Sequence, residues 1–320
     1  MFWGTNNKKN GFALIGNHKE KNIIIMKLEG RRQSTNVEDR RGKGGKILGF
    51  GIGAAIIAGL IALITPKLQQ FGINVNESDI QNITQKVLPG ASTQEGTNYT
   101  PTEKEKEFEV FAKQILASTE DVWTAQFKKM GKTYKNPTMV LFKGSVQSGC
   151  GSATSAVGPF YCSADEKLYL DLDFFDELST KFGAKGDFAC AYVIAHEVGH
   201  HVQHLLDTLD QAHSKMAQQN ETEKNKTSVR IELQADYYSG IWGYYEKEMF
   251  GSIEAGDFEE AINAAQKIGD DYLQKRSRGE VTPENFTHGT SAQRMKWLKK
   301  GLSTGDLKGG DTWSCNYNAL

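Results

Sequence analysis

A chain of 320 residues with 38 basic and 39 acidic side chains has a formal net charge of −1, which leaves no basic field for nucleic acid. Six prolines and an aromatic content of 10% exclude a mainly disordered chain, and glycine without a triplet period excludes a collagen-like one. The length suffices for one large or two small domains with a real core.

Residues 1–25 read as neither signal nor domain, and Met26 offers a second start that would make them an upstream extension. Residues 1–46 are read as an N-terminal cytoplasmic segment. From Ile47 to Ile64 no residue is charged, and 18 helical residues span about 27 Å, close to the thickness of a bilayer core. The run has no polar face and no small-x-small cleavage site after it. A transmembrane anchor over 47–65 is therefore predicted over a core helix or a cleaved signal. Lys27, Arg31, Arg32, Arg40, Arg41, Lys43 and Lys46 outnumber Glu29, Glu38 and Asp39 before the run, and Lys67 is the only basic residue between it and Lys86. The positive-inside rule then predicts a single-pass protein, N-terminus cytoplasmic and the rest extracytoplasmic.

Residues 66–102 are polar and read as a linker, and 103–320 as the folded domain. Apolar residues at helical spacing (Phe108, Phe111, Ile115, Leu116) open it, and residues 138–142 (TMVLF) predict a strand. Residues 159–163 and 168–173 predict a hairpin. In its second strand Leu168, Leu170 and Leu172 alternate with Tyr169, Asp171 and Asp173, the pattern of a half-exposed strand. That strand is also a candidate substrate-pairing edge. Helices are predicted over 174–182, 187–206, 228–248, 257–275 and 290–301. The sum is an α+β domain, mostly helical with a small antiparallel sheet. All four cysteines follow the apolar run, which suits an oxidising compartment. The expected disulfides are Cys150–Cys162 and Cys190–Cys315.

The chemistry centres on His196-Glu197-Val198-Gly199-His200, an HExxH sequence continuing the apolar segment 188–195. Two histidines at i and i+4 share one helix face and can bind one zinc ion. Glu197, offset by one residue, is placed to act as general base on the attacking water. Gly199 costs about 1 kcal/mol relative to Ala in a helix interior, which is understandable if something approaches that face closely. His201 and His204 read as polar-face or supporting residues. A metzincin pattern fails, because its required positions hold Gln203 and Leu206. In residues 230–238 (RIELQADYY), Glu232 and Asp236 sit at i and i+4. Glu232 is the expected third ligand, with Asp236 orienting a ligand histidine; the roles can also be exchanged, with Asp236 as ligand. His288, before a helix capped by Thr290 or Ser291, is a candidate oxyanion stabiliser, or else a turn residue, and Arg294 can pair with a carboxylate.

HEVGHHVQ (196–203), ELQADYYSGIW (232–242) and HGTSAQR (288–294) together resemble the family named putative neutral zinc metallopeptidase. EGRRQSTNVEDRRG (29–42) and CGSATSAVGPFYCSADEKLYLDLDFF (150–175) extend the resemblance over nearly the whole chain from Met26. The resemblance implies a gluzincin-like, zincin-type fold, one zinc per chain, peptide or protein substrates, and a bacterial inner-membrane or cell-surface location. The order of the HExxH, ExxxD and His-plus-Arg blocks also resembles membrane-integrated HExxH proteases, which supports Glu232 as ligand and His288 as transition-state stabiliser. The rival expectations are a zinc-stabilised envelope scaffold without turnover and a zinc amidase acting on cell-wall peptides.

Overall fold

The computed structural model describes residues 26–42 and 99–320. The predicted anchor and most of the predicted linker lie outside the described residues, among which no helix is long and apolar enough to cross a membrane.

Thr102 opens helix α1 (Glu103–Lys129) with a reciprocal capping box: its hydroxyl accepts from the Glu105 amide, and the Glu105 carboxylate accepts from the Thr102 amide. Ile115, Leu116, Val122, Trp123 and Phe127 bury one long face of the helix. Strands β1 (Val37–Asp39), β2 (Thr138–Phe142), β5 (Phe160–Cys162) and β6 (Lys167–Asp171) form one sheet in the order β1-β2-β6-β5. Strands β3 (Ser145–Ser148) and β4 (Gly151–Thr154) form a separate antiparallel ribbon.

The main sheet is mixed and not the small antiparallel one expected. β1–β2 and β2–β6 are parallel, and only the β5–β6 hairpin is antiparallel. Parallel neighbours need long crossovers, and here α1 lies in the segment between β1 and β2, while the ribbon and β5 lie between β2 and β6. β6 is therefore an interior strand, which corrects its reading as half-exposed and as a substrate-pairing edge. Its leucines face the main core, while Tyr169 joins Val140, Phe142, Val146 and Cys162 in a second cluster under the ribbon. Asp171 is buried too, accepting the amides of Gly144 and Asp173.

The helical layer follows as α2 (Asp173–Thr180), α3 (Asp187–Leu205), α4 (Thr208–Met216), α5 (Glu221–Phe250), α6 (Asp257–Lys267), α7 (Asp270–Arg278) and α8 (Ser291–Thr304). α3 is the central helix, buried nearly all round because α1, α5 and α6 pack against it. α5 starts earlier than predicted, capped by Asn220, because its first turns are polar and carry no apolar period. The predicted helix 257–275 is two helices. The chain breaks at Gly269, where a Cβ would stand 2.4 Å from the Ser291 amide nitrogen.

Residues 26–42, left outside the domain by the sequence division, pack into it. Met26 and Leu28 enter the main core and β1 completes the sheet. Arg31 donates to the fully buried Glu246, Arg32 to Glu120, and Ser34 to the other oxygen of Glu120. Lys27, Arg40 and Arg41 are ion-paired as well. Five of the flanking charges counted for membrane orientation thus satisfy carboxylates of the fold.

The Cys150–Cys162 disulfide is formed, linking the ribbon to β5. The expected Cys190–Cys315 bond is not: both are free thiols. Cys190 turns its sulfur to the Gly186 carbonyl at the start of α3, and Cys315 turns to Thr312 in the C-terminal tail beside Arg230.

Candidate metal centre

α3 and α5 hold the centre between them. One ligand atom each from His196, His200 and Glu232 lies within 4.8 Å of the others, the only such group of these residues that includes histidine among the described residues. The His196 Nε2 is 3.1 Å from Glu232 Oε2, and the His200 Nε2 is 3.4 Å from Glu232 Oε1. Two imidazole nitrogens and a carboxylate, converging in a buried place, are the donor set of a zinc site with an open fourth position. The fit holds at the outer nitrogens too. His196 Nδ1 faces Asp236 Oδ1 at 2.9 Å, and His200 Nδ1 faces Gln203 Oε1 at 2.9 Å, so each ring has a partner that leaves its Nε2 lone pair inward.

The close approach that brings these side chains together occurs at Gly199. A Cβ there would stand 2.9 Å from the Ala235 carbonyl oxygen and 3.2 Å from its Cα. Gly199 lies between Glu197 and His200, and Ala235 lies next to Asp236. The glycine that weakens α3 as a helix is what lets α5 reach it.

Asp236 is fully buried, and both its oxygens are engaged. Arg294 donates from Nε to Oδ2 (2.8 Å) and from Nη2 to Oδ1 (2.9 Å), and the Tyr192 hydroxyl donates to Oδ1 (2.6 Å). This arrangement makes Asp236 a support to His196 and leaves Glu232 as the carboxylate facing both rings. Although burial opposes it, the Arg294 guanidinium holds the Asp236 carboxyl down to about 2. Burial would likewise lower His196, but Asp236 outweighs it and raises the imidazole to about 10; burial drives His200 down to about 4. Burial opposes ionisation of Glu232, yet the neighbouring imidazoles hold it well below the usual carboxylate range.

Glu197 points into the same cavity, a space of about 550 Å³ lined by Tyr161, His196, Glu197, His200, Glu232 and His288 among others. Burial pushes its carboxyl up to about 7; His196 opposes the rise and the Glu232 charge adds to it. A nearby dication would draw it back down. The Tyr161 backbone, on the edge strand β5, lies beside this carboxyl.

His288 is half exposed at the cavity wall. Its loop is clamped by Asp270, whose Oδ2 accepts the amides of Thr287, His288 and Gly289, and Thr290 caps α8 with a capping box shared with Gln293. His201 is fully buried, between the Lys135 carbonyl (2.7 Å) and the Tyr161 hydroxyl (2.9 Å), so it ties α3 to β5 and does not lie on a polar face. His204 sits at the end of α3 near Asp210.

Sequence reasoning missed Tyr192 and Gln203 as parts of the site. Tyr192 stands one helical turn before His196, and that i, i+4 spacing was the available signal. Gln203, three residues past His200, bridges its ring to the Ile231 carbonyl of α5.

The family described as "Putative neutral zinc metallopeptidase" matches residues 26–313. The chain is 45% identical over 285 residues to "Uncharacterized protein YpfJ" of Escherichia coli strain K12, covering 88% of this chain and 96% of that protein. It is 44% identical over 207 residues to "Uncharacterized protein Rv2575" of Mycobacterium tuberculosis strain H37Rv, covering 62% of this chain and 68% of that one. No solved structure matches. With a match that begins at Met26 and contains every residue of the buried centre, the chain belongs to the putative neutral zinc metallopeptidase family.

Proposed function

We propose that the protein is a zinc-dependent endopeptidase with a gluzincin-like site. His196, His200 and Glu232 hold one zinc ion, and Glu197 is the general base. The observation that carries this is the convergence of those three side chains on one wall of a cavity that also receives the Glu197 carboxylate. When bound, zinc supplies a Lewis acid that polarises the scissile carbonyl and makes water acidic enough to be deprotonated near neutral pH. Glu197 takes the proton of the attacking water and returns it to the departing amine. Asp236 keeps the proton of His196 on Nδ1, and Arg294 and Tyr192 hold Asp236 in place. His288, from the clamped loop, stabilises the negative charge that develops on the carbonyl oxygen. Because β6 is interior, a substrate strand that extends the sheet is assigned to β5, whose Tyr161 backbone borders Glu197.

The test is turnover of a peptide library by the protein and by its Glu197→Gln variant, with zinc measured in both. The reading expects zinc retained and turnover reduced by about 10²-fold or more. Equal turnover in the variant would remove Glu197 from its role, and zinc without turnover in the parent would favour a scaffold.

The apolar run 47–64 is our proposed membrane attachment, and the Cys150–Cys162 disulfide supports an oxidising location for the domain. β1 precedes that run, whereas its partner β2 follows it. Paired strands share one side of a bilayer. We therefore propose that residues 26–42 lie on the same side as the domain and that the run enters the membrane without crossing it, in place of the single-pass, N-terminus-in, domain-out topology expected from the flanking charges. Impermeant thiol labelling of a cysteine introduced at Glu29 in intact cells tests this, and protection of that cysteine beside an accessible domain would contradict it.

A further inference from the structure

The far end of α3 carries a second group of ligand-bearing side chains that the peptidase chemistry does not use. One carboxylate oxygen each from Asp187, Asp257 and Glu260 lies within 4.8 Å of the others. Asp187 opens α3, Asp257 opens α6, and Glu260 stands one turn further along α6. Asp187 precedes His196 by nine residues, about 13 Å along the helix, so the group is separate from the peptidase centre.

Acidic residues at helix N-termini are ordinarily accounted for by capping. Here one oxygen of each carboxylate accepts a backbone amide, and only Glu260 reaches one at a helix end. Asp187 Oδ2 accepts the Met26 amide (2.8 Å), Asp257 Oδ2 accepts the Glu254 amide (2.8 Å), and Glu260 Oε2 accepts the Phe188 amide (3.1 Å). The second oxygens of Asp187 and Asp257 are buried and have no hydrogen-bond partner among the described residues. Asp257 is 0% exposed, so water does not reach that oxygen from outside. Among the described residues, no lysine, arginine or histidine is ion-paired with any of the three. Buried carboxylates are ordinarily paired or bound to a metal, because uncompensated charge in a low dielectric is costly. Burial and the Asp187 charge push Asp257 up to about 6 and Glu260 up to about 7, which reflects the missing positive charge.

We infer that Asp187, Asp257 and Glu260 form a structural site for one hard divalent cation, calcium in the first instance. The donors are all oxygen, which suits calcium or magnesium over zinc. Calcium accepts an irregular shell of oxygens, whereas magnesium demands near-octahedral geometry and gives up its waters reluctantly, so three carboxylates fixed by the fold favour calcium. Two of the carboxylates begin helices of different origin and one of them also fixes the Met26 amide. A cation there ties the N-terminal segment and α6 to the start of the helix that carries His196 and His200.

The test is calcium titration of the zinc-loaded full-length protein, followed by calorimetry and by thermal unfolding. The same titration is run on Asp257→Asn, Glu260→Gln and Glu232→Ala. One calcium per chain is expected in the parent and in Glu232→Ala, with a Tm that rises and saturates with calcium. Affinity should fall at least tenfold in Asp257→Asn and in Glu260→Gln, and either of these serves if the other does not fold. The absence of saturable binding in the folded parent up to about 10 mM, beyond the weak end of known calcium modules, overturns the inference. So does full affinity in both carboxamide variants, or loss of calcium binding in Glu232→Ala, which would place the cation at the peptidase centre.

Discussion

Gly199→Ala is a small change that separates the helix from the site. In an isolated helix it stabilises by about 1 kcal/mol. Here the added Cβ meets the Ala235 carbonyl oxygen at 2.9 Å and the Ala235 Cα at 3.2 Å, both backbone atoms that no rotamer change can remove. Relief requires α3 and α5 to part by a few tenths of an ångström, and overpacking of this kind costs about 1–3 kcal/mol. The balance runs from about zero to about 2 kcal/mol of destabilisation, or up to roughly 8 °C in Tm for a domain of this size. The metal affinity is more informative than the stability. His200 is one residue from Gly199, Asp236 is one residue from Ala235, and Glu232 is on the same helix. Parting the helices pulls the ligands apart, and zinc affinity should fall about 10–100-fold, as for other disturbances of ligand support. Thermal unfolding with and without chelator, plus zinc competition against a chromogenic chelator, gives both quantities. A variant about 1 kcal/mol more stable than the parent, with unchanged zinc affinity, would refute the claim that this backbone contact positions the ligands.

Arg294→Met strands the buried Asp236 carboxylate, and should cost about 3–5 kcal/mol in denaturant unfolding; adding Asp236→Asn should recover part of it, whereas strictly additive losses would mean that the two side chains do not act as a pair. Glu105 is held down to about 2 from its ordinary 4.5 because bonds from Lys143, Thr102 and Tyr99 outweigh the opposing effect of burial. A lowered carboxylate contributes stability above its unfolded pKa and loses it as pH falls through the folded one. Glu105→Gln should therefore lower Tm at pH 7 and narrow its gap to the parent between about pH 4.5 and 2. A gap independent of pH would remove Glu105 as an acid-sensitive cap of α1.

The residues that converge were legible because i, i+4 spacing is local: His196 and His200 are set by one helix, and Glu232 and Asp236 by another. Choosing between Glu232 and Asp236 was not a local matter. It depends on Arg294, 58 residues beyond Asp236, and on Tyr192, which together engage both Asp236 oxygens. The same holds for the sheet. The alternation in residues 168–173 showed a strand, but both of its neighbours and the ribbon covering Tyr169 are supplied by distant segments. β1 was hidden because it is short and polar, and Arg31 and Arg32 just before it answer carboxylates on α5 and α1 that have no sequence signature of their own. The break at Gly269 is likewise set by the loop before α8, which no period in residues 257–275 could reveal.

The central claim is that His196, His200 and Glu232 hold one zinc ion. Zinc per chain, measured by mass spectrometry on the purified folded protein and on its Glu232→Ala variant, tests it most directly. The account predicts about one zinc in the parent and a marked loss in a variant that still folds. Zinc retained by the variant would move the third ligand to Asp236 despite its contacts with Arg294 and Tyr192. A folded parent that takes up no zinc after reconstitution would contradict the account.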